Sequence, residues 1–128
     1  MKRFILVIIS CVIFVALNNR HIIAQSSKEN EYNKGKILYK NKCQFCHGIL
    51  GDGKGPASEP LLRHPVDFTD SEFWQDDVEK KIDETIKKGK EMMPAFVLEQ
   101  GQINAITIYI TGTFKKSSQN NKKGRAEK

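Results

Sequence analysis

The chain has 128 residues, 21 of them Lys or Arg and 15 Asp or Glu, for a formal net charge of +6; that length allows one domain and excludes a multidomain enzyme. The positive charge sits at the ends, with Lys2, Arg3 and Arg20 at the front and six basic residues against Glu127 from Lys115 onward, so that residues 25–114 carry 12 basic and 14 acidic side chains. A slightly acidic body excludes the broad basic face that binds phosphate backbones, and no nucleic-acid partner is expected.

Residues 1–24 read as a secretory signal peptide. Lys2 and Arg3 precede an apolar run of 14 residues, Phe4 to Leu17, broken only by Ser10, and a more polar exit ends in the small residue Ala24. A transmembrane helix needs about 20 apolar residues, which this run does not reach. Cleavage is expected after Ala24; Ile22 is larger than the residue such sites prefer, which keeps an uncleaved membrane anchor as the alternative. A lipoprotein reading of Cys11 would leave too short a signal and an apolar mature start. The expected organisation is a signal peptide over 1–24, a folded domain over 25–114 and a tail over 115–128, in a periplasmic or otherwise exported protein. After cleavage only Cys43 and Cys46 remain, and both have another use, so no structural disulfide is expected.

Glu29 to Lys42 reads as a helix, with Tyr32, Leu38 and Tyr39 on an apolar stripe, Ile37 beside it and lysines elsewhere. Gly35 interrupts it at a cost of about 1 kcal/mol relative to Ala, and a glycine there usually has a packing reason.

Cys43-Gln44-Phe45-Cys46-His47 follows at once. Two thiols three positions apart and an adjoining imidazole form the attachment pattern of a c-type haem. Each thiol adds to one vinyl group, so the sulfurs must straddle one edge of a flat ring, and one helical turn supplies that reach. The next residue then lies under the ring, where its imidazole can bind iron as the proximal ligand. Cys43 and Cys46 are therefore the expected covalent tethers and His47 the expected iron ligand, for one haem c per chain. The competing readings are a thioredoxin-like dithiol, which expects a βαβ setting, half of a zinc site, which wants four ligands, and a plain disulfide.

Gly48 to Pro65 is a loop, since four glycines and three prolines in 18 residues exclude a long helix or strand. Gly51-Asp52-Gly53-Lys54-Gly55 lacks the spacing of a phosphate-binding loop, and wrapping a flat ligand is the better use of such a backbone. Thr69 is a candidate N-cap for a short helix carrying Phe73 and Trp74. Asp76 or Asp77 starts a second helix through Lys88, with Val78, Ile82, Thr85 and Ile86 as its apolar stripe and Gly89 as its stop.

Met92-Met93-Pro94-Ala95-Phe96 is the second chemical site. A thioether on iron opposite the imidazole would raise the reduction potential and close the open position. The methionines lie in a loop rather than on a helical apolar face, and Pro94 stiffens the residue before it. Met93 is the favoured ligand; Met92 and the loop residue His64 are its rivals, and flexible core filling is the ordinary use of methionine. Glu99 or Gln100 begins the last element, to about Thr113. Ile103, Ile106 and Ile110 recur at helical spacing, yet Ile106 to Ile110 also alternates like a strand. With no second strand to pair with, a helix is expected. The tail from Lys115 has no apolar periodicity and reads as solvated, with weak contact to a membrane surface or an acidic partner as its functional alternative.

These residues resemble the class I monohaem c-type cytochrome family. The likeness runs through Gly35-x-x-Leu38-Tyr39-x-x-x-Cys43-x-x-Cys46-His47-Gly48, Gly51 to Pro56, Gly89, Met93-Pro94-Ala95-Phe96 and Ile106-x-x-Tyr109, and covers about residues 30–113. It implies an all-α fold of three to five helices around one covalent haem, with the first and last helices crossing at Gly35 and Tyr109 packing against that notch. It also implies that a proline carbonyl accepts a hydrogen bond from the proximal imidazole, with Pro56 the candidate and Pro60 behind it. The implied function is an exported electron carrier, not itself an enzyme, with His/Met ligation and unidentified redox partner proteins. A haem-based gas binder or peroxidase-like protein with a labile sixth ligand is one alternative, and a cytochrome subunit fixed in a larger oxidoreductase complex is another. The segment Glu59 to Phe73 departs from the shortest family members and matches longer modules.

Overall fold

The computed structural model describes residues 25–75 and 77–115, together with Cys11, Phe14 and Ser118. The expected signal peptide with its cleavage point, and most of the basic tail, lie outside the described residues. The chain divides into two compact units, Met1–Glu31 and Tyr32–Lys128. In the first, residues 25–31 are helical.

Among its described residues the second unit holds four α-helices: α1 over 32–42, α2 Gln44–His47, α3 Val78–Lys88 and α4 Gln100–Ile110. A 3-10 turn at Ser71–Phe73 precedes α3, and a π-helical turn, Thr111–Lys115, extends α4. No strand occurs among the described residues; an isolated bridge joins Lys90 and Met93. The fold is all-α, as expected.

The ambiguous segment at Ile106 to Ile110 is helical because the helix buries what the sequence offers. Ile103, Ala105, Ile106, Tyr109 and Ile110 all turn inward, each Ile worth about 1.5–3 kcal/mol when fully buried. The Thr107 and Thr111 hydroxyls donate to the Ile103 and Thr107 carbonyls at 3.0 and 2.8 Å, satisfying themselves within the helix. The Glu99 backbone N–H donates to the Gln102 side chain at 3.1 Å and holds the start.

Gly35 has the packing reason its position required. A Cβ there would collide with the Ala105 carbonyl oxygen and stand 2.9 Å from Tyr109 Cβ, so α1 and α4 approach more closely than any side chain allows. Tyr109 also stacks obliquely on Tyr39 and Tyr32, with centroids 5.2 and 5.3 Å apart. Helix α3 packs Val78, Ile82 and Ile86 into the same core. On its outer side the Asp83 carboxylate accepts from Lys87 Nζ and Gln100 Nε2, both at 2.7 Å, which bridges α3 to α4. Those two hydrogen bonds hold the Asp83 carboxyl below its ordinary value.

Two local expectations change. Asp70, not Thr69, caps the 3-10 turn, accepting from the Glu72 N–H at 3.0 Å. Thr69 is taken up in a turn on Asp67, whose Oδ1 accepts its N–H at 2.7 Å and its hydroxyl at 2.6 Å. Lys115, assigned from sequence to the solvated tail, closes the π turn with its ammonium 5.9 Å from the Trp74 ring centre. Ser118 is buried and donates to the Lys115 carbonyl.

Candidate functional site

The site is built where α1 runs into α2. The Cys43 N–H continues the helical ladder to the Tyr39 carbonyl at 2.8 Å, and Cys43 then serves as N-cap of the one-turn helix that carries Cys46 and His47. So short a helix leaves most of its carbonyls without partners. The glycine loop supplies them: Gly53, Gly55 and Ala57 N–H groups donate to the carbonyls of His47, Cys46 and Phe45 at 3.0, 3.0 and 2.9 Å. The loop's function in the fold is thus to sheathe the motif helix. The buried Tyr39 hydroxyl adds a bond to the Gly48 carbonyl at 2.8 Å, fixing the end of that helix.

The thiols of Cys43 and Cys46 are half-buried and unbridged. Burial pushes the Cys43 thiol up to about 11, with Lys42 pulling the other way and Cys46 adding a smaller upward push. His47 is 8% exposed. Burial holds its imidazole below the ordinary histidine value, opposed in part by the Val66 backbone. Its Nδ1 is buried without a hydrogen-bond partner.

Two cavities of about 570 and 470 Å³ share a wall of Cys43, His47, Val66, Thr85, Lys90 and Met93. The first also reaches Cys46, Met92 and His64; the second reaches Phe68, Ile82 and Ile106 in the core. Each lies in the ~300–1,000 Å³ range of cofactor pockets. The methionine loop is tightly held. Lys90 and Met93 exchange two backbone hydrogen bonds at 3.0 and 2.9 Å, and the Phe96 N–H returns to the Ile86 carbonyl of α3 at 2.9 Å. Gly89, at φ 72°, makes the turn possible, since a Cβ would stand 2.7 Å from the Met93 carbonyl oxygen. Glu91 is left-handed at φ 53°, and its carboxylate pairs with Arg63 at 2.9 Å across the cavity rim.

The structure therefore brings together Cys43, Cys46, His47 and Met93 around the first cavity, with Met93 half-buried on the wall of both and Met92 51% exposed on the first. His64 is an exposed rim residue. Pro56 is exposed beside a smaller pocket with Ser58 and His64, and no hydrogen bond joins it to His47 Nδ1. Phe68, to which no role was given, lies against the imidazole: the ring centres are 5.0 Å apart and the planes 12° from parallel. Nothing in the residue type or spacing of Val66-Asp67-Phe68 signals that contact.

Two thiols on a short helix, a buried imidazole with an orphaned nitrogen, a thioether and an apolar cavity suit a covalent haem, which takes just such nitrogen and sulfur donors. The rival chemistries lack their settings among the described residues. No group of three or more His, Cys, Asp or Glu side chains assembles for zinc, and no βαβ unit frames a redox dithiol. No described helix is long and apolar enough to cross a membrane.

No curated protein and no solved structure matches the chain. Residues 30–110, well over half of the sequence, match the family described as cytochrome c oxidase, cbb3-type, subunit III. That span contains both chemical motifs and the helices that frame them, and the chain belongs to this family of c-type cytochrome domains.

Proposed function

We propose that the protein is an exported electron carrier with one haem c, tethered through Cys43 and Cys46 and ligated by His47 and Met93. The observation that carries this reading is the cavity wall shared by Cys43, His47 and Met93. The haem, when bound, supplies a one-electron couple. The chain's part would be to hold the His47 imidazole and the Met93 thioether as donors through both oxidation states, so that little would rearrange per electron. Burial favours the neutral imidazole that metal binding requires. The backbone-bonded turn at Lys90–Met93 keeps the thioether from wandering. Pro56 is our assignment for the acceptor of the Nδ1 proton, because its loop already bonds to Phe45 and Cys46; such a bond would orient the ligand. The segment over 1–24 fits export, and the basic tail a weak anionic contact.

The test is absorption spectroscopy of the oxidised protein. A near-infrared sulfur-to-iron band is expected, lost in Met93→Leu and kept in Met92→Leu. High-spin iron that binds carbon monoxide freely in the unsubstituted protein would favour the gas-binding alternative. The family's description as an oxidase subunit favours a second reading, in which the domain is fixed in a larger complex. Sizing of the native protein after mild extraction separates a free carrier from a subunit.

A further inference from the structure

The rings around His47 give Phe68 a specific place. Phe68 is 4% exposed, lies nearly parallel to the imidazole at 5.0 Å, and stacks on Phe114 at 5.7 Å and 15°. Phe73 meets it edge-on at 5.2 Å. Its backbone is pinned from two sides. The Phe68 N–H donates to the Gly51 carbonyl at 2.7 Å, and the Trp74 indole N–H donates to the Phe68 carbonyl at 2.8 Å. Phe68 is therefore a fixed wall. The imidazole beside it leaves its Nδ1 without a hydrogen-bond partner, and the Val66 backbone is the polar group that bears on the ring. The aromatic surface lying along the imidazole plane is the phenyl face of Phe68.

We propose that Phe68 is a positioning residue for the axial imidazole, holding the His47 plane and lowering the reduction potential by presenting its π face to the ligand. An aromatic face is the negative part of the ring quadrupole and attracts positive charge. An imidazole on iron is more positive in the oxidised state than in the reduced one, so the stack favours the oxidised state. The inference rests on His47 being the iron ligand. It differs from ordinary core packing, which would make Phe68 and Phe114 equivalent in their effect.

The experiment uses the full haem-loaded chain and two readouts: the haem-methyl shift pattern in proton NMR of the oxidised protein, which reports the imidazole plane, and the reduction potential. Phe68→Leu keeps an apolar side chain and removes the ring. It should reorder the methyl shifts and raise the potential, while Phe114→Leu leaves both near wild type despite a similar loss of thermal stability. Pentafluorophenylalanine at position 68 nearly keeps the shape and reverses the quadrupole, so the methyl order should persist and the potential rise. An unchanged pattern and potential in Phe68→Leu, with only a lower melting temperature, would overturn the proposal. Should Phe68→Leu fail to assemble, an unchanged potential in the fluorinated protein overturns it equally. Absence of an imidazole-ligated spectrum in the unsubstituted protein would overturn the ligand assignment and this inference together, and it would appear before any variant is compared.

Discussion

At the scale of single residues, Tyr39 links the core to the haem motif. It is 1% exposed, and its hydroxyl donates to the carbonyl of Gly48, the residue after His47. Burial, with smaller contributions from Cys43, Tyr109 and Asp52, holds its phenol well above the ordinary value of 10.0. Tyr39→Phe should cost about 1 kcal/mol at neutral pH, the net worth of one hydrogen bond, because the Gly51 N–H still approaches the same carbonyl at 3.3 Å. The pH dependence has a definite sign. A phenol whose folded pKa is raised contributes fully below the unfolded pKa and loses that contribution as pH rises past about 10, where only the unfolded chain ionises. The stability gap between wild type and Tyr39→Phe should therefore narrow above that pH. Denaturant titrations at neutral and alkaline pH measure it; a gap that widens would contradict the buried, neutral phenol.

At the scale of elements, the crossing of α1 and α4 is decided by one missing Cβ. Gly35→Ala drives a methyl group into the Ala105 carbonyl, and overpacking of that kind costs about 1–3 kcal/mol or more. Gly101, in the first turn of α4, has nothing within 4 Å of its would-be Cβ. Gly101→Ala should stabilise by about 0.5–1 kcal/mol through helix propensity and chain entropy. Thermal melts of the two variants should thus move in opposite directions. The family resemblance, carried by Gly35, Tyr39 and Cys43, made the crossing legible before any coordinates; the residues alone said only that a glycine inside a helix has a packing reason. The stripe of α3, Val78, Ile82 and Ile86, was legible from helical spacing, whereas Ile103, Ile106 and Ile110 of α4 competed with a strand-like alternation over Ile106 to Ile110 until their burial decided it. The Phe68 stack was not legible. It depends on loop contacts through Gly51 and Trp74 that leave no periodic trace. Thr69 was misread as a cap because the Asp67 carboxylate takes up its hydroxyl and the Asp70 carboxylate accepts the Glu72 N–H, both being stronger acceptors than a hydroxyl. That Nδ1 stands without a hydrogen-bond partner was equally out of reach, since it turns on backbone geometry around Pro56 and Val66 rather than on residue type.

At the scale of the whole molecule, the question is where electrons leave. Phe45 and Met92 both line the cavity and are 66% and 51% exposed, so apolar surface is presented at its rim. Lys42, Arg63, Lys90 and Glu91 line the same cavity, with Arg63 and Glu91 already paired. An apolar centre edged by charge is the general form of a protein contact face. Phe45→Glu would place a carboxylate that must lose water on docking, at a position too exposed to carry much of the fold. It should slow bimolecular electron exchange with the physiological partner several-fold, while leaving the reduction potential and melting temperature near wild type. Ile37→Glu is the matched control, because Ile37 is 61% exposed on α1 and lines neither cavity. Stopped-flow exchange at a series of ionic strengths distinguishes the two. If the cavity rim is the port, only Phe45→Glu slows the reaction, and added salt, which screens the new charge without restoring the lost apolar contact, recovers only part of the rate. Equal rates for wild type and Phe45→Glu would move the port elsewhere on the domain.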